Sequence, residues 1–308
     1  MKVFVTGGTG FIGSYVVKEL LAHGHELTLL ARNVGKVPGF VGHDRIRLIA
    51  GSMEDADVIA SALAGQDACV HVALAWLEGT AMDNLTRETV PSVRLFQLAA
   101  EAGVRKIIFT SSIASFGSAP HDDRGYIKPA SYYGAAKAAA EAYLLAIAAQ
   151  YGIQANIVRP GYTFGNPCVE GGPLYPDQKL VRMVRSALAG EDMTFVKNDG
   201  TQFIWAGDLA KVYAELLHAD TLNRGYYTSV STEFRTWAQI AGMAVELLGS
   251  GSRITLEDKG RPDPGERPID VSRIEETFGF AFTADERMRE HLRYLSELEA
   301  KAGAQARG

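Results

Sequence analysis

A chain of 308 residues, 47% hydrophobic and 22% charged, is long enough for one large domain or two interlocked ones around a substantial core. Its formal charge of -5, with no basic run, excludes nucleic acid as a partner, because a polyanion needs clustered Lys and Arg. Two cysteines, Cys69 and Cys168, cannot build a disulfide framework and have no zinc-like spacing; Cys69, inside an apolar run, reads as a small core residue. No apolar run approaches the roughly 18 residues needed to cross a bilayer. Met1-Lys2 passes straight into a strand, which leaves no room for a signal peptide, so the expected location is the cytoplasm.

Along the chain, strands alternate with helices. Val3-Phe4-Val5 reads as a strand and Phe11 to His23 as a helix stopped at Gly24. Leu27 to Ala31, Ile46 to Ala50 and Ala68 to Val72 read as further strands, with a helix over Asp55 to Ala64 between the last two. A helix from about Glu88 to Ala102 feeds the strand Lys106 to Thr110; an Ala-rich helix from Ser131 to Gln150 feeds the strand Gln154 to Val158. Short, continuously apolar strands separated by helices predict an α/β fold, a Rossmann-type doubly wound parallel sheet covered on both faces. Its ligands belong at the carboxyl ends of the strands. After Arg159-Pro160, Gly and Pro become frequent, so residues 1–160 read as the dinucleotide domain and 161–300 as a smaller substrate-binding lobe. Helices are expected there near Gln178 to Ala189, Asp208 to His218, Thr236 to Leu248 and Ala284 to Ala300. Segments between about 203 and 230, notably Tyr226 to Val230, return to the main sheet, and 301–308 read as a frayed tail.

The first strand and helix are joined by Thr6-Gly7-Gly8-Thr9-Gly10-Phe11-Ile12-Gly13. Gly7 permits the tight turn, Gly10 lets backbone approach a pyrophosphate, and Gly13 allows the helix to pack on the sheet. The helix N-terminus then presents N–H groups and a positive dipole end to the phosphates. A strand before the motif and an amphipathic helix after it provide the context for a nicotinamide dinucleotide. The second strand ends Leu29-Leu30-Ala31-Arg32-Asn33, without the acid that would hold the ribose 2′-OH of NAD. Arg32 instead has the fork for a 2′-phosphate, which favours NADP over NAD.

Tyr133 and Lys137 stand four residues apart, on one face of the Ala-rich helix. A phenol is a weak acid-base group at neutral pH, and a nearby ammonium favours its ionised form. Such a pair can move a proton at a carbonyl or carbinol oxygen. Lys137 can also reach the nicotinamide ribose. The strand Lys106 to Thr110 runs into Thr110-Ser111-Ser112, which places hydroxyls at a carboxyl strand end.

Taken together, Thr6 to Gly13, Thr110-Ser111-Ser112 with Phe116-Gly117, Tyr133-Gly134-Ala135-Ala136-Lys137 and Arg159-Pro160-Gly161-Tyr162-Thr163-Phe164-Gly165 resemble the extended short-chain dehydrogenase/reductase superfamily, in its NAD-dependent epimerase/dehydratase branch. Weaker matches at Val70-His71-Val72-Ala73, Asp208-Leu209-Ala210 and Asp270-Val271-Ser272-Arg273 extend the likeness over nearly the whole chain. The resemblance implies an NAD(P)-dependent enzyme with Ser112 as catalytic serine (Ser111 a close alternative), Tyr133 as acid-base and Lys137 as its partner. It also implies cofactor contacts at Gly7, Thr9, Gly10, Phe11, Ile12, Gly13, Arg32, Ser52, Met53, Ala73, Tyr133, Lys137 and Pro160. Family members pair as dimers through a four-helix bundle, here formed by Glu88 to Ala102 and Ser131 to Gln150.

The pattern breaks in places. Gly51-Ser52-Met53 keeps only the aliphatic half of an acid-aliphatic pair at the adenine. An Asn usual at the start of the helix before the catalytic strand is Glu88. Tyr162 stands where nucleotide-sugar members carry Asn, and Thr201-Gln202 where they tend to carry Arg; Arg261 is the remaining diphosphate candidate. Substrate contacts are therefore expected at Ser112, Tyr162 and Arg261, with Trp76, Phe116, Tyr162, Phe164 and Trp205 either lining a pocket or packing the lobe. The expected activity is hydride transfer at a carbinol or carbonyl carbon, by a nucleotide-sugar epimerase or a related NADPH-dependent ketone reductase. A non-catalytic, NADP-sensing regulator on the same fold is the alternative. His23, His25, His43, His71, His121, His218 and His291 show no ligand spacing, so no metal is implied.

Overall fold

A computed structural model describes residues 1–75, 78–117, 128–174, 177–265 and 269–305; Trp76 and His121 lie outside these residues. Six strands, β1 (Lys2–Thr6), β2 (Glu26–Ala31), β3 (Ile46–Ala50), β4 (Ala68–His71), β5 (Lys106–Thr110) and β6 (Gln154–Pro160), form a parallel sheet with Gly225–Ser229. The order across it is Gly225–Ser229, β6, β5, β4, β1, β2, β3. The chain thus winds outward from β1 to one edge and then from β4 to the other, as the alternation of strands and helices predicts.

Period two along each strand separates two cores. Val3, Val5, Leu27, Leu29 and Val70 face α1 (Phe11–Ala22) and the helix Ala206–His218. Phe4, Leu30, Cys69, Ile107 and Phe109 face α2 (Ala56–Leu63) and the helices Val90–Glu101 and Tyr132–Tyr151. Each fully buried Val, Leu or Phe contributes about 2 kcal/mol through burial alone. A third core belongs to the lobe, where Gln178–Ala189, Trp237–Leu247 and Asp285–Gln305 pack together. Short ladders brace it: Tyr162–Phe164 beside Phe203–Trp205, Gly200–Thr201 beside Arg235–Thr236, and Met193–Val196 beside Ile254–Glu257.

One element departs from expectation in a way that bears on the site. The helix expected from Glu88 begins at Ala81, behind a Thr80/Asp83 capping box, and passes through a π-turn at Leu85–Thr89 before Val90–Glu101. Pro91 has no N–H to give the carbonyl of Arg87, so the ladder widens there. The widened turn carries Glu88 inward, to 4% exposure.

Three buried histidines make the fold sensitive to acid. Burial, with the N-terminal ammonium, His218 and His23 adding to it, pushes His25 down to about 4. Burial brings His291 to about 4. Burial and then Lys137 hold His71 well below its usual range. Because the folded values lie below the unfolded 6.5, the unfolded chain takes up protons first; stability is complete above about pH 6.5 and falls as the pH drops toward 4. Each histidine contributes a slope of about 1.4 kcal/mol per pH unit. Urea midpoints measured from pH 7 to 4.5 are expected to fall steeply, and His25→Phe to reduce the slope by about one proton; an unchanged slope in that variant contradicts the assignment.

Candidate active site

The cofactor residues expected from sequence come together along one edge of the sheet. The glycine loop follows β1, Arg32 follows β2, Ser52-Met53 follow β3, Ala73 follows β4, Ser111-Ser112 follow β5, and Pro160 closes β6. Parallel pairing keeps these ends level, with Thr6 beside Leu30 and His71, His71 beside Phe109, and Thr110 beside Val158. Gly7, at φ 72°, lies so near the segment that follows β4 that a Cβ would sit 2.5 Å from the Ala73 nitrogen. The Ala73 N–H in turn reaches the Thr6 hydroxyl at 3.4 Å. Gly10 caps α1, Thr9 precedes it, and Phe11 and Ile12 pack against the first core. Arg32 is exposed and has no ion-pair partner among the described residues. A glycine-rich turn against a helix N-terminus fits the backbone cradle of a dinucleotide pyrophosphate.

Tyr133 and Lys137 stand on the helix Tyr132–Tyr151, whose N-cap Ser131 accepts the Gly134 N–H at 3.1 Å. Gly134 lies flush against the turn after β5, where any Cβ would meet the Ala114 carbonyl oxygen at 2.2 Å. That approach sets the helix start against the turn Ile113–Ser115, which Ser112 caps by accepting the Ala114 N–H at 3.2 Å. Lys137 is 2% exposed. Its Nζ lies 2.6 Å from Glu88 Oε1 and 3.1 Å from the Thr110 carbonyl, 4.9 Å from the Phe109 ring centre and 6.0 Å from that of Tyr133.

Several participants escaped sequence reasoning. Ser111 donates to Glu141 Oε1 at 2.5 Å, and Arg159 grips the same carboxylate through Nε at 2.9 Å and Nη2 at 2.6 Å. The two adjacent serines are therefore differently engaged: Ser111 is buried against a carboxylate, and Ser112 is only partly buried. Glu141 could have been noticed as the next residue of the 133/137 series on its helix. Arg159 could not have been matched to it without the sheet. His71 spans Thr6 Oγ1 at 2.6 Å and Ser92 Oγ at 2.9 Å, stacked on Phe109, as a satisfied structural histidine should be.

In the lobe, Tyr162 packs edge-on against Phe203 and Trp237, and its buried hydroxyl has no hydrogen-bond partner among the described residues. Phe164 is in the lobe core, Trp205 packs edge-on against Tyr15, and Phe116 lies 5.4 Å from the Arg159 guanidinium. Arg261 is 55% exposed and meets Asp199 at 2.8 Å. A cavity of about 790 Å³ opens between Asn198, Arg235, Gln239 and Asp263; neither Ser112, Tyr133 nor Lys137 lines it. Arg235 is held by Asp285 at 2.7 Å and Glu233 at 2.5 Å.

Among the described residues, no helix is long and apolar enough to cross a membrane, and no group of three His, Cys, Asp or Glu could hold a metal ion.

The sequence is similar to UDP-glucuronic acid decarboxylase 1 of Xenopus tropicalis, 24% identical over 99% of this chain and 74% of that one. It is also similar to dTDP-4-dehydro-6-deoxy-D-allose reductase of Streptomyces bikiniensis, 29% identical over 90% of each. The fold matches UDP-glucuronic acid 4-epimerase from Bacillus cereus, solved in complex with NAD, with a TM-score of 0.79 and 17% identity over 97% of this chain and 99% of that one. The model of the NAD dependent epimerase/dehydratase family matches residues 3–226, and this chain, an enzyme with a Rossmann fold, belongs to that family.

Proposed function

We propose that the chain performs reversible hydride chemistry at a secondary carbinol carbon, with NADP favoured as cofactor, as a nucleotide-sugar epimerase or a related ketone reductase. What supports this reading is that Ser112 opens the turn after β5, that the helix carrying Tyr133 starts against that turn, and that Lys137 is buried four residues further along the same helix. The glycine loop would hold the pyrophosphate, Arg32 the 2′-phosphate, Met53 the adenine and Lys137 the nicotinamide ribose. A bound nicotinamide supplies the hydride acceptor and donor at this edge. Tyr133 takes or returns the proton at the substrate oxygen, Ser112 donates a hydrogen bond to that oxygen, and Lys137 fixes the charge beside Tyr133.

The ketone-reductase reading draws support from the lobe. A diphosphate calls for unspent, preferably bidentate cations, yet Arg261 and its neighbour in the lobe, Arg235, are each matched by carboxylates, and Thr201-Gln202 stands where nucleotide-sugar members tend to carry Arg. We place the enzyme in the cytoplasm, in keeping with two free thiols, and as a homodimer. Exposed Met82, Leu85, Val90, Tyr132, Tyr143 and Tyr151 line the two helices expected at the interface, and sedimentation at twice the monomer mass checks that assembly.

Cofactor identity tests the reading. Any nucleotide released from purified protein is identified by mass, and the apo protein is titrated with NADPH and NADH. NADPH should bind at least about tenfold tighter, and Arg32→Ala should erase that preference while leaving NADH binding unchanged. Tightly retained, stoichiometric NAD would instead mark an epimerase that recycles its cofactor, and would overturn the role given to Arg32.

A further inference from the structure

We infer that Glu88 is a positioning residue, which ties the catalytic lysine to the loop bordering the cofactor. Its two carboxylate oxygens have separate duties. Oε1 lies 2.6 Å from the Lys137 ammonium, and Oε2 accepts the Ala75 N–H at 2.8 Å. Ala75 lies in the segment that leaves β4 through Ala73, and Ala73 is pressed against Gly7 of the glycine loop. One side chain therefore bridges the proton-transfer helix and the wall of the dinucleotide cradle. Neither end can shift without breaking a charged contact.

The bridge is built in from behind. The π-turn at Leu85–Thr89 brings Glu88 inward, in keeping with the frequent use of such turns at functional sites. Ser92 donates to the Glu88 carbonyl at 2.7 Å and meets His71 at 2.9 Å, while Thr89 donates to the Ala136 carbonyl at 3.1 Å, one residue before Lys137. The exposures of Lys137 and Glu88, 2% and 4%, leave little room for water to substitute for either partner. A carboxylate differs here from the amide expected in the family: an amide can hold a lysine by a hydrogen bond, whereas a carboxylate also neutralises it. Lys137 then serves a bound dinucleotide as an oriented donor whose charge is balanced within the protein. The titratable groups around the pair are Tyr133 on the same helix, His71 beyond Ser92, and Tyr213, which meets the Thr110 hydroxyl at 2.7 Å.

The inference rests on the dinucleotide reading, and the test separates the two. NADPH and NADH are titrated by fluorescence into wild type, Glu88→Gln and Glu88→Asp, and amide exchange at Ala75 is followed in the apo proteins. Glu88→Gln, nearly isosteric, is expected to weaken NADPH binding about tenfold, since the ammonium that faces the dinucleotide loses its buried counter-charge. Exchange at Ala75 should quicken in the same variant. Glu88→Asp keeps the charge but is one methylene too short to span both partners, so it regains most of the NADPH affinity while Ala75 exchange still quickens. A residue that only supports the fold would weaken binding alike in both variants, with no rescue by the aspartate. Superimposable binding curves for wild type and Glu88→Gln overturn the inference and leave the function standing. If Glu88→Gln does not fold, Ala75 exchange in Glu88→Asp at the wild-type rate overturns it instead. Wild type that binds neither dinucleotide removes the function, and the inference with it.

Discussion

Tyr133→Phe is expected to lower turnover about a thousandfold while leaving the affinity for NADPH within about twofold of wild type. The substitution removes one oxygen and keeps the ring. The ring is what lies 6.0 Å from the Lys137 ammonium, and the helix start that carries it is fixed independently by Ser131 and by the contact of Gly134 with Ala114. Lys137 keeps Glu88 and the Thr110 carbonyl, so the cofactor-side charges are undisturbed. Only the proton path to the substrate oxygen is lost. Single-turnover rates on a carbonyl substrate found by screening, set beside fluorescence titration of NADPH, separate the two effects. Near-normal turnover in the variant would assign the proton to another group and sink the mechanism. Wild type that binds NADPH tightly yet reduces no carbonyl compound across a broad panel would favour the regulatory alternative.

Legibility in the sequence followed the range of the interactions involved. β1, its glycine loop and α1 were readable because turn, cap and periodicity are all local to Lys2–Ala22. Tyr133 and Lys137 were readable for the same reason, since four residues on a helix suffice to place them on one face. The expected helix at Glu88 failed where two local rules compete. Periodicity runs back through Thr80, but Pro91 cannot donate, and the resulting π-turn rotates Glu88 out of the register that a regular helix would give it. That Ser111 and Ser112 are differently engaged was closed to sequence, because the Ser111 partner is Glu141, thirty residues on. Arg261 reads as a free cation in sequence and meets Asp199 in the fold, 62 positions earlier. The ladders of the lobe, some only two residues long, carry no periodicity of their own and exist because the surrounding helices hold them together.

The largest effect on stability is expected from Glu141→Ala. Its carboxylate is 1% exposed and takes two parallel bonds from Arg159, itself 12% exposed, as well as the Ser111 hydroxyl. Arg159 is also sandwiched over Tyr226 at 4.0 Å, on the strand that returns from the lobe, so the cluster joins β5, the catalytic helix, β6 and Gly225–Ser229. Removing the acid leaves a buried guanidinium without a counter-charge, at a cost of about 3–5 kcal/mol. The corresponding fall in melting temperature is of order 10 °C. Replacing both partners, Glu141→Ala with Arg159→Met, should recover most of that loss, because an apolar pair of similar volume avoids the desolvation that the ion pair must overcome. Urea unfolding of the two single variants and the double variant forms a complete cycle. A coupling near zero would mean that solvent already neutralises Arg159 and that the cluster adds nothing to the fold. A coupling of several kcal/mol would mean that this buried ion pair holds the end of β5, the helix Tyr132–Tyr151 and β6 together.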